Sequence, residues 1–452
     1  MNSVIITVLV VGFLEGDYIM KVAILTMFSG LSSTYSLVGV VAEQLKMLLK
    51  HDISVKVLVS EYISEEEKEG IFLDKRIEWV KIKCSMNGKP IKLYDYTNPE
   101  SKLHETFYDE VQIFASEFES ALQDVSVCIM HDILYQGYHY VHNIAIREVQ
   151  KHLPHVRFLS FTHSLPDKRP LHVSDEMYGR YTPMENTRFI NPNQSGIMPL
   201  SLQYNVPEGY CHTVYNCAPV MNYLHESVQK LHEQTSLLNT EYMVVYPGRL
   251  STGKKFDKVA ALAGTIKRVS EKRMKVVFCD FNCDDTPADE YKSAIYLVGE
   301  FYGLDKEDIV FTSDYGFNDG FPREGVLDLF TLSNLFICPS LSENFSLTTL
   351  EAASRGNLLV LNECVPGLRE AGEMLGAYFM KWDARLYDSI QYQQYTPSER
   401  AYYERHSTEI IKKMREDKMC VAKTMIRNRF NSDWIWENQL KPLLEIDNRI
   451  VK

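Results

Sequence analysis

Glu343 and Glu351 lie eight residues apart in PSLSENFSLTTLEAASRG, among small, hydroxylated and apolar side chains. On one helix they would be roughly 80° apart around the axis and about 12 Å apart along it, which is too far for joint action. The preceding NLFICPS predicts a buried strand that ends at a Pro-Ser break. The following residues predict a helix capped by Ser346 and stopped at Gly356. We therefore expect Glu343 in a loop and Glu351 in the second helical turn.

The start of this helix favours an anion. The backbone N–H groups of Phe345, Ser346 and Leu347, which follow Asn344, would point out of the helix N-terminus, where the macrodipole attracts a phosphate. A helix glutamate such as Glu351 could accept hydrogen bonds from ribose hydroxyls. Alternatively, both glutamates are solvated surface charges.

A second segment, YPGRLSTGKK, follows the strand-like run EYMVV. It places Gly248, Arg249 and Lys254 in a loop at a strand end, where two cations could bracket a diphosphate. Alone, this segment reads more simply as a basic loop beside solvent. Together with the segment around Glu343 and Glu351, it predicts a pocket for a sugar nucleotide.

Strand-like runs alternate with amphipathic helical stretches from Met20 onward, in two series that join near residues 215 to 240. Alternation of this kind predicts two parallel, doubly wound sheets. Ligands of such sheets bind outside the carboxyl ends of the strands.

His131 and His163 each end a strand-like run, so they are either structural or part of a site. His139 and His142 lie on one helix without a third ligand, so we expect no metal there.

The bulk composition restricts the class of protein. A chain of 452 residues with 45% hydrophobic and 24% charged residues is typical of a globular protein with two domains. The net charge of −12 argues against broad nucleic-acid binding. Nine dispersed cysteines indicate buried thiols in a reducing cytoplasm.

We interpret residues 1–19 as an extension that the fold does not need. The aperiodic loop from 166 to 207 is a lid, an acceptor-binding insertion or a surface excursion.

These segments resemble retaining GT-B glycosyltransferases, particularly glycosyltransferase family 4 (glycosyl transferases group 1). YPGRLSTGK resembles the family's G-R-L-x-x-x-K segment, and Glu343 to Glu351 its E-x7-E element. The resemblance implies two Rossmann-like domains that face a central cleft. Their expected extents are 20–216 for the acceptor side and 217–429 for the donor side, and the segment 430–452 crosses back to the first domain as a helix.

The same resemblance implies a role for each candidate residue. Arg249 and Lys254 would hold the donor diphosphate, Glu351 the ribose, and Glu343 the sugar hydroxyls near the reacting carbon. His131 and His163 would lie near the donor sugar or the acceptor. The family usually has glycines where this chain has Asn344 and Ser346, and its glycine-rich first loop is represented here only by Gly30 in FSGLSSTYS.

The function implied is retaining transfer of a hexose or pentose from a nucleotide-diphosphate sugar to an acceptor hydroxyl. No cofactor is expected, and no metal, because no Asp-x-Asp ends a strand. The acceptor stays open among a glycan, a lipid-linked sugar, a metabolite, a protein and a modified nucleic acid. The alternatives are a nucleotide-sugar binding protein that has lost transfer, or another GT-B enzyme such as a phosphorylase or sugar-nucleotide epimerase.

Overall fold

A computed structural model describes residues 20–96, 102–164, 166, 179–282, 286–382 and 397–446. The extension predicted at residues 1–19 lies outside this range. The chain divides into two compact units, the first made of Met1–Cys217 with Ile435–Lys452 and the second of Ala218–Trp434. No helix in the described ranges is long and apolar enough to cross a bilayer.

The first unit is built on a seven-stranded parallel sheet with the order β3-β2-β1-β6-β7-β8-β9. A separate small hairpin is formed by β4 and β5. The strands of the unit are β1 Lys21–Leu25, β2 Ser54–Ser60, β3 Ile77–Ile82, β4 Ser85–Met86, β5 Lys89–Pro90, β6 Val127–His131, β7 Arg157–Phe161, β8 Thr187–Asn191 and β9 Cys211–Thr213.

The helices of this unit connect successive strands. They are α1 Ser36–Lys50, α2 Phe107–Leu122, α3 Tyr140–His152 and α4 Ile197–Tyr204. β1 and β6 are buried along nearly their whole length, as expected for parallel strands covered on both faces. The order of the strands reverses at β1, between β2 and β6, so a ligand crevice is expected at the carboxyl ends of β1 and β6.

The prediction of an aperiodic loop over residues 166–207 is wrong for its second half. Thr187–Asn191 forms the buried strand β8 between β7 and β9, and Ile197–Tyr204 forms α4. β8 is short, and Arg188 interrupts its apolar pattern, which is why hydrophobic periodicity does not reveal it. Residues 165 and 167–178 of the same stretch lie outside the described range.

The second unit repeats the design with a six-stranded parallel sheet of order β12-β11-β10-β13-β14-β15. Its strands are β10 Tyr242–Arg249, β11 Met274–Phe281, β12 Ile309–Phe311, β13 Leu335–Cys338, β14 Leu358–Asn362 and β15 Tyr378–Met380. Its helices are α5 Glu226–Thr235, α6 Phe256–Ser270, α7 Ala288–Tyr302, α8 Arg323–Leu332, α9 Leu347–Ser354, α10 Pro366–Leu375, α11 Pro397–Glu416 and α12 Lys418–Arg429. This strand order, numbered within the unit, is the 3-2-1-4-5-6 order of a Rossmann fold, so the predicted fold class of two Rossmann-like α/β domains is confirmed.

The end of the described chain belongs to the first unit from Ile435 onward. After α13 Ser432–Ile435, a π-helical turn over Trp436–Leu440 leads into α14 Lys441–Glu445. Trp436 stacks on His51 with ring centroids 4.2 Å apart, and the Tyr215 backbone N–H donates to Gln439 Oε1 at 2.8 Å. The Arg157 guanidinium also donates to backbone carbonyls of this segment, including that of Leu443 at 3.4 Å. Both termini of the described chain therefore help to build the first unit.

Candidate functional site

Two loops of the second unit meet where its strand order reverses. The loop after β10 carries Lys254, and the loop after β13 carries Glu343. The Leu341 backbone N–H donates to the Gly253 carbonyl at 3.2 Å, and the Tyr246 hydroxyl donates to the Lys254 carbonyl at 2.8 Å. The first bond joins the two loops, and the second ties the loop that carries Lys254 back to β10.

Lys254 and Glu343 form an ion pair between Nζ and Oε1. Both side chains are mostly buried, at 28% and 18% exposure, so the pair is only partly screened by water. An ammonium and a carboxylate held together can present a cation to a diphosphate and an acceptor to a sugar hydroxyl. The sequence placed these two residues in one pocket but did not predict their direct contact.

Glu351 lies on α9, in the turn predicted for it, and its Oε1 accepts a hydrogen bond from Arg323 Nη2 at 2.7 Å. Arg323 is the first residue of α8, and its side chain is 72% exposed. No spacing in the sequence links these residues, so sequence reasoning missed Arg323. The contact holds one carboxylate oxygen of Glu351 and orients the other.

Arg249 ends β10 with an exposed side chain that makes no hydrogen bond or ion pair with the described residues. It is therefore a cation available to an anionic ligand. Gly248 precedes it and pairs in register with Asp280. A Cβ added at Gly248 would meet only Phe256, at an ordinary 3.8 Å, so packing inside the chain does not demand glycine there.

The start of α9 agrees with the predicted cap. The Ser346 hydroxyl accepts from the Thr349 backbone N–H at 3.3 Å, while Asn344, Phe345 and Leu347 are exposed. Because Ser346 satisfies the N–H of Thr349 only, the earlier N–H groups of the first turn stay open to a ligand.

Gly367 on α10 lies directly behind this loop. A Cβ added there would come within 1.8 Å of the Asn344 carbonyl oxygen and 2.9 Å of the Glu343 carbonyl oxygen. Only glycine allows so close an approach of two backbones. Gly367 therefore sets the position of the loop that carries Glu343, a role that the sequence does not predict.

The first-unit candidates also come together. His131 Nδ1 lies 2.8 Å from His163 Nε2, and His131 Nε2 lies 3.0 Å from Gln44 Oε1 on α1. The His163 backbone N–H donates to Asp132 Oδ1 at 2.8 Å. Burial lowers the pKa of both histidines, that of His131 well below its usual value. Burial also raises the pKa of Asp132. Gln44 and Asp132 carry no signal in the sequence that predicts these contacts.

Gly30 lies in the loop after β1, where a Cβ would come within 2.9 Å of Glu67 Oε2. That oxygen accepts from the Leu31 backbone N–H at 2.9 Å, so Glu67 closes the loop around Gly30.

Among the described residues, no group of three or more His, Cys, Asp or Glu side chains is arranged to hold a metal ion. His139 and His142 contact each other through their Nδ1 atoms at 3.1 Å.

Comparison with known proteins finds a family match within the second unit. Residues 227–376 match the family described as glycosyl transferases group 1, which confirms the predicted resemblance over that range. The range contains Arg249, Lys254, Glu343 and Glu351. None of the curated proteins compared with the chain matches it.

Several solved structures are similar over most of the chain. A glycosyltransferase from Rickettsia africae is 11% identical with a TM-score of 0.34, covering 94% of this chain and 97% of that one. The HepE protein of Anabaena in complex with UDP-glucose is 13% identical with a TM-score of 0.33, covering 94% and 100%. A UDP-forming α,α-trehalose-phosphate synthase from Burkholderia xenovorans is 12% identical with a TM-score of 0.36, also covering 94% and 100%.

Proposed function

We propose that this chain, which matches the glycosyl transferases group 1 family over residues 227–376, transfers a hexose or pentose from a nucleotide-diphosphate sugar to an acceptor hydroxyl with retention. One observation carries the proposal: within the matched range, Lys254 and Glu343 meet across two strand ends beside the start of α9. The donor binds the second unit, and the acceptor binds the first.

The donor diphosphate is held by Arg249, Lys254 and the N–H groups at the start of α9. Negative charge on the diphosphate grows as the glycosidic bond breaks, so cations and backbone dipoles placed there stabilise the transition state more than the ground state. Arg249 suits this role because its exposed guanidinium has no partner among the described residues. These groups supply the positive charge without a metal ion, and no cofactor is required.

Glu351 accepts from the ribose hydroxyls while Arg323 holds its other oxygen. Glu343 accepts from hydroxyls of the donor sugar, and its ion pair with Lys254 holds its carboxylate beside the diphosphate. His163 follows β7 by two residues, and its side chain contacts the donor sugar or the acceptor. Buried free thiols such as Cys128 and Cys338 support a location in the cytoplasm.

The transfer step retains configuration when the acceptor attacks from the face that the diphosphate leaves. The acceptor oxygen bonds to the anomeric carbon, and the bond from that carbon to the diphosphate oxygen breaks with its electron pair on the oxygen. The acceptor hydroxyl proton passes to this oxygen. A strong protein base is therefore unnecessary, although Glu343 is the residue to test for a nucleophilic role.

The test begins with thermal shifts of the full chain against a panel of nucleotide sugars, because a ligand of the native state raises the midpoint. The donor with the largest shift is then used in a transfer assay, and the anomeric configuration of the product is read by NMR. We expect a retained configuration and activity in a chelator. An inverted product, or activity lost in chelator and restored by manganese, would contradict the proposal.

A further inference from the structure

Asn362 is the last residue of β14 and is fully buried at the carboxyl edge of the second-unit sheet. It follows four apolar residues in the strand LLVLN. Asparagine is depleted in strands, and a buried amide is unfavourable unless its polar groups are hydrogen-bonded. The preference of the strand itself therefore does not explain an asparagine here, at the edge of the sheet where ligands bind.

The side-chain amide of Asn362 uses its full hydrogen-bonding capacity on the main chain. Its Nδ2 donates to the carbonyl of Ser340 at 3.1 Å and to that of Trp382 at 2.8 Å. Its Oδ1 accepts from the N–H of Cys364 at 3.0 Å and from that of Trp382 at 3.1 Å. An amide has two N–H donors and two lone pairs on its oxygen, so none is left over. One side chain thus fixes the segments that follow β13, β14 and β15.

The contact with Ser340 fixes one particular peptide group. Because a peptide group is planar, the Ser340 carbonyl and the Leu341 N–H point in opposite directions within one plane. Asn362 holds the carbonyl, and the Leu341 N–H donates to the Gly253 carbonyl at 3.2 Å. A rotation of this plane would break both bonds together. Asn362 therefore sets the orientation of the peptide that joins the loop after β13 to the loop after β10.

The two charged residues that meet in the candidate site lie next to this peptide along the chain. Lys254 directly follows Gly253, and Glu343 lies two residues after Leu341. A displaced peptide would shift the two main chains against each other and would separate the ion pair between Lys254 and Glu343. Misplacement of a binding group by about 1 Å can lower a reaction rate about a hundredfold.

We propose that Asn362 is a positioning residue for the donor. The inference rests on the proposed function and deepens it. Asn362 is buried and does not touch the donor. It acts through the Ser340–Leu341 peptide, which holds Lys254 and Glu343 in the geometry that the donor diphosphate and sugar require.

Asn334 offers a matched control at the amino edge of the same sheet. It directly precedes β13, is as fully buried as Asn362, and its side chain also makes four hydrogen bonds. The partners are the Met243 N–H, the Arg427 guanidinium, the Cys420 carbonyl and the Thr424 hydroxyl. Removal of either amide leaves buried partners unsatisfied, so both substitutions should lower the thermal midpoint. Only the change at Asn362 should weaken donor binding.

The test compares Asn362→Ala with Asn334→Ala in the full chain, with the donor identified by thermal shift. Asn362→Ala should raise the donor Kd, measured by titration calorimetry, about tenfold or more, and Asn334→Ala less than about twofold. A wild-type donor Kd in Asn362→Ala overturns the proposal, and so does an equal rise in both variants. If Asn362→Ala does not fold, Asn362→Cys fills more of the space with only a weak donor, and the same criterion applies to it.

A double-mutant cycle separates positioning from a general loss of stability. In Lys254→Ala, the further change Asn362→Ala should raise the donor Kd less than about threefold, because the ion pair that Asn362 positions is already gone. An undiminished effect of Asn362→Ala in this background overturns the proposal.

Hydrogen exchange tests the peptide itself, without any donor. Asn362→Ala should speed exchange of the Leu341 amide about tenfold or more, and Asn334→Ala should leave it unchanged. A wild-type exchange rate of this amide in Asn362→Ala overturns the proposal. Failure of every nucleotide sugar to bind wild type instead overturns the proposed function, and the exchange rate then still decides whether Asn362 fixes the peptide.

Discussion

The two carboxylates that lie eight residues apart each form an ion pair with a different cation. Lys254 pairs with Glu343, and Arg323 pairs with Glu351. The two ion pairs separate the roles of these carboxylates. Glu343 is tied to the cation proposed for the diphosphate, and Glu351 to an exposed arginine at the start of α8. Substitutions at the two positions should therefore change different kinetic constants.

Glu351→Gln and Arg323→Ala should mainly weaken donor binding, by roughly 1 to 3 kcal/mol for Glu351→Gln, because charge-assisted hydrogen bonds to ribose are lost or misaligned. Glu343→Gln should lower kcat more than it raises the donor KM, since its interaction strengthens in the transition state. Steady-state kinetics with varied donor and thermal midpoints for each variant would measure this.

Arg369→Ala is the matched control, because Arg369 is an exposed arginine paired with Glu373 on α10. It should keep wild-type constants. If Glu343→Gln and Glu351→Gln both behave like wild type, the two residues are surface charges and the donor site lies elsewhere.

Gln44 should fix the proton positions of the histidine pair. Because its Oε1 accepts from His131 Nε2, His131 Nδ1 must accept from His163 Nε2, which leaves His163 Nδ1 as an acceptor. Gln44→Leu removes this constraint and should lower kcat about tenfold, which is less than the roughly 10²- to 10⁴-fold that a positioned acid–base group contributes as a whole. Nitrogen NMR shifts of the rings should show mixed tautomers in Gln44→Leu. Gln44→Glu keeps an acceptor oxygen and should restore one tautomer; a normal kcat in Gln44→Leu would refute this role.

At the scale of elements, the loop after β13 depends on a glycine from α10. Gly367→Ala should force the Asn344 carbonyl away and cost about 1 to 3 kcal/mol in the free energy of unfolding, as overpacked sites do. It should also weaken donor binding, because Glu343 belongs to the displaced loop. Urea denaturation and a donor titration would measure both effects.

Gly39→Ala provides the contrast, since a Cβ at this exposed position of α1 would meet nothing within 4 Å. Alanine has the higher helix propensity, so this variant should gain up to about 1 kcal/mol. Equal effects of the two substitutions would argue against a special role for Gly367.

The sequence was most informative where one segment determines its own structure. Ser346 caps α9 and Gly356 follows its last turn with φ of 66°, both as predicted, because caps and stops are local. Gly367 and Arg323 escaped prediction for the opposite reason. Their contacts join segments 23 to 28 residues apart, and nothing in either segment alone specifies the partner.

At the scale of the molecule, acid should affect the two units differently. Burial lowers the pKa of His131, His139 and His142, all in the first unit. Because their folded pKa values lie below the unfolded ones, the unfolded state binds more protons, and stability falls as pH falls below about 6.5. For His139, with a folded pKa of about 4, the loss at pH 5 is about 2 kcal/mol. Asp132, whose pKa is raised, opposes this trend in part.

Hydrogen exchange at pH 7.5 and pH 5 should therefore show protection lost first in the first unit. His142→Phe should weaken this pH dependence, because His142 already packs against Phe114 with ring centroids 4.3 Å apart. His152→Gln, an exposed position on the same helix, should leave it unchanged. Equal loss of protection in both units would contradict the prediction.

The two-domain architecture followed from the alternation of strands and helices, because each series is long enough to close its own core. The number of strands in the first sheet, which is seven, did not follow from that alternation. β8 and β9 are three to five residues long and gain stability from neighbouring strands rather than from their own pattern, so tertiary pairing decides them.

Because Ile435 and the residues after it belong to the first unit, a ribosome finishes the second unit before the first. A nascent chain that has reached Trp434 holds all the described strands of the second unit, while His51 lacks its stacking partner Trp436 and Arg157 lacks the carbonyls of α14. Domains usually fold in the order of synthesis, and here the N-terminal sheet must wait with uncovered surface until the segment from Ile435 to Glu445 has been made. The step that commits the first unit to its native state is thus the arrival of that late segment.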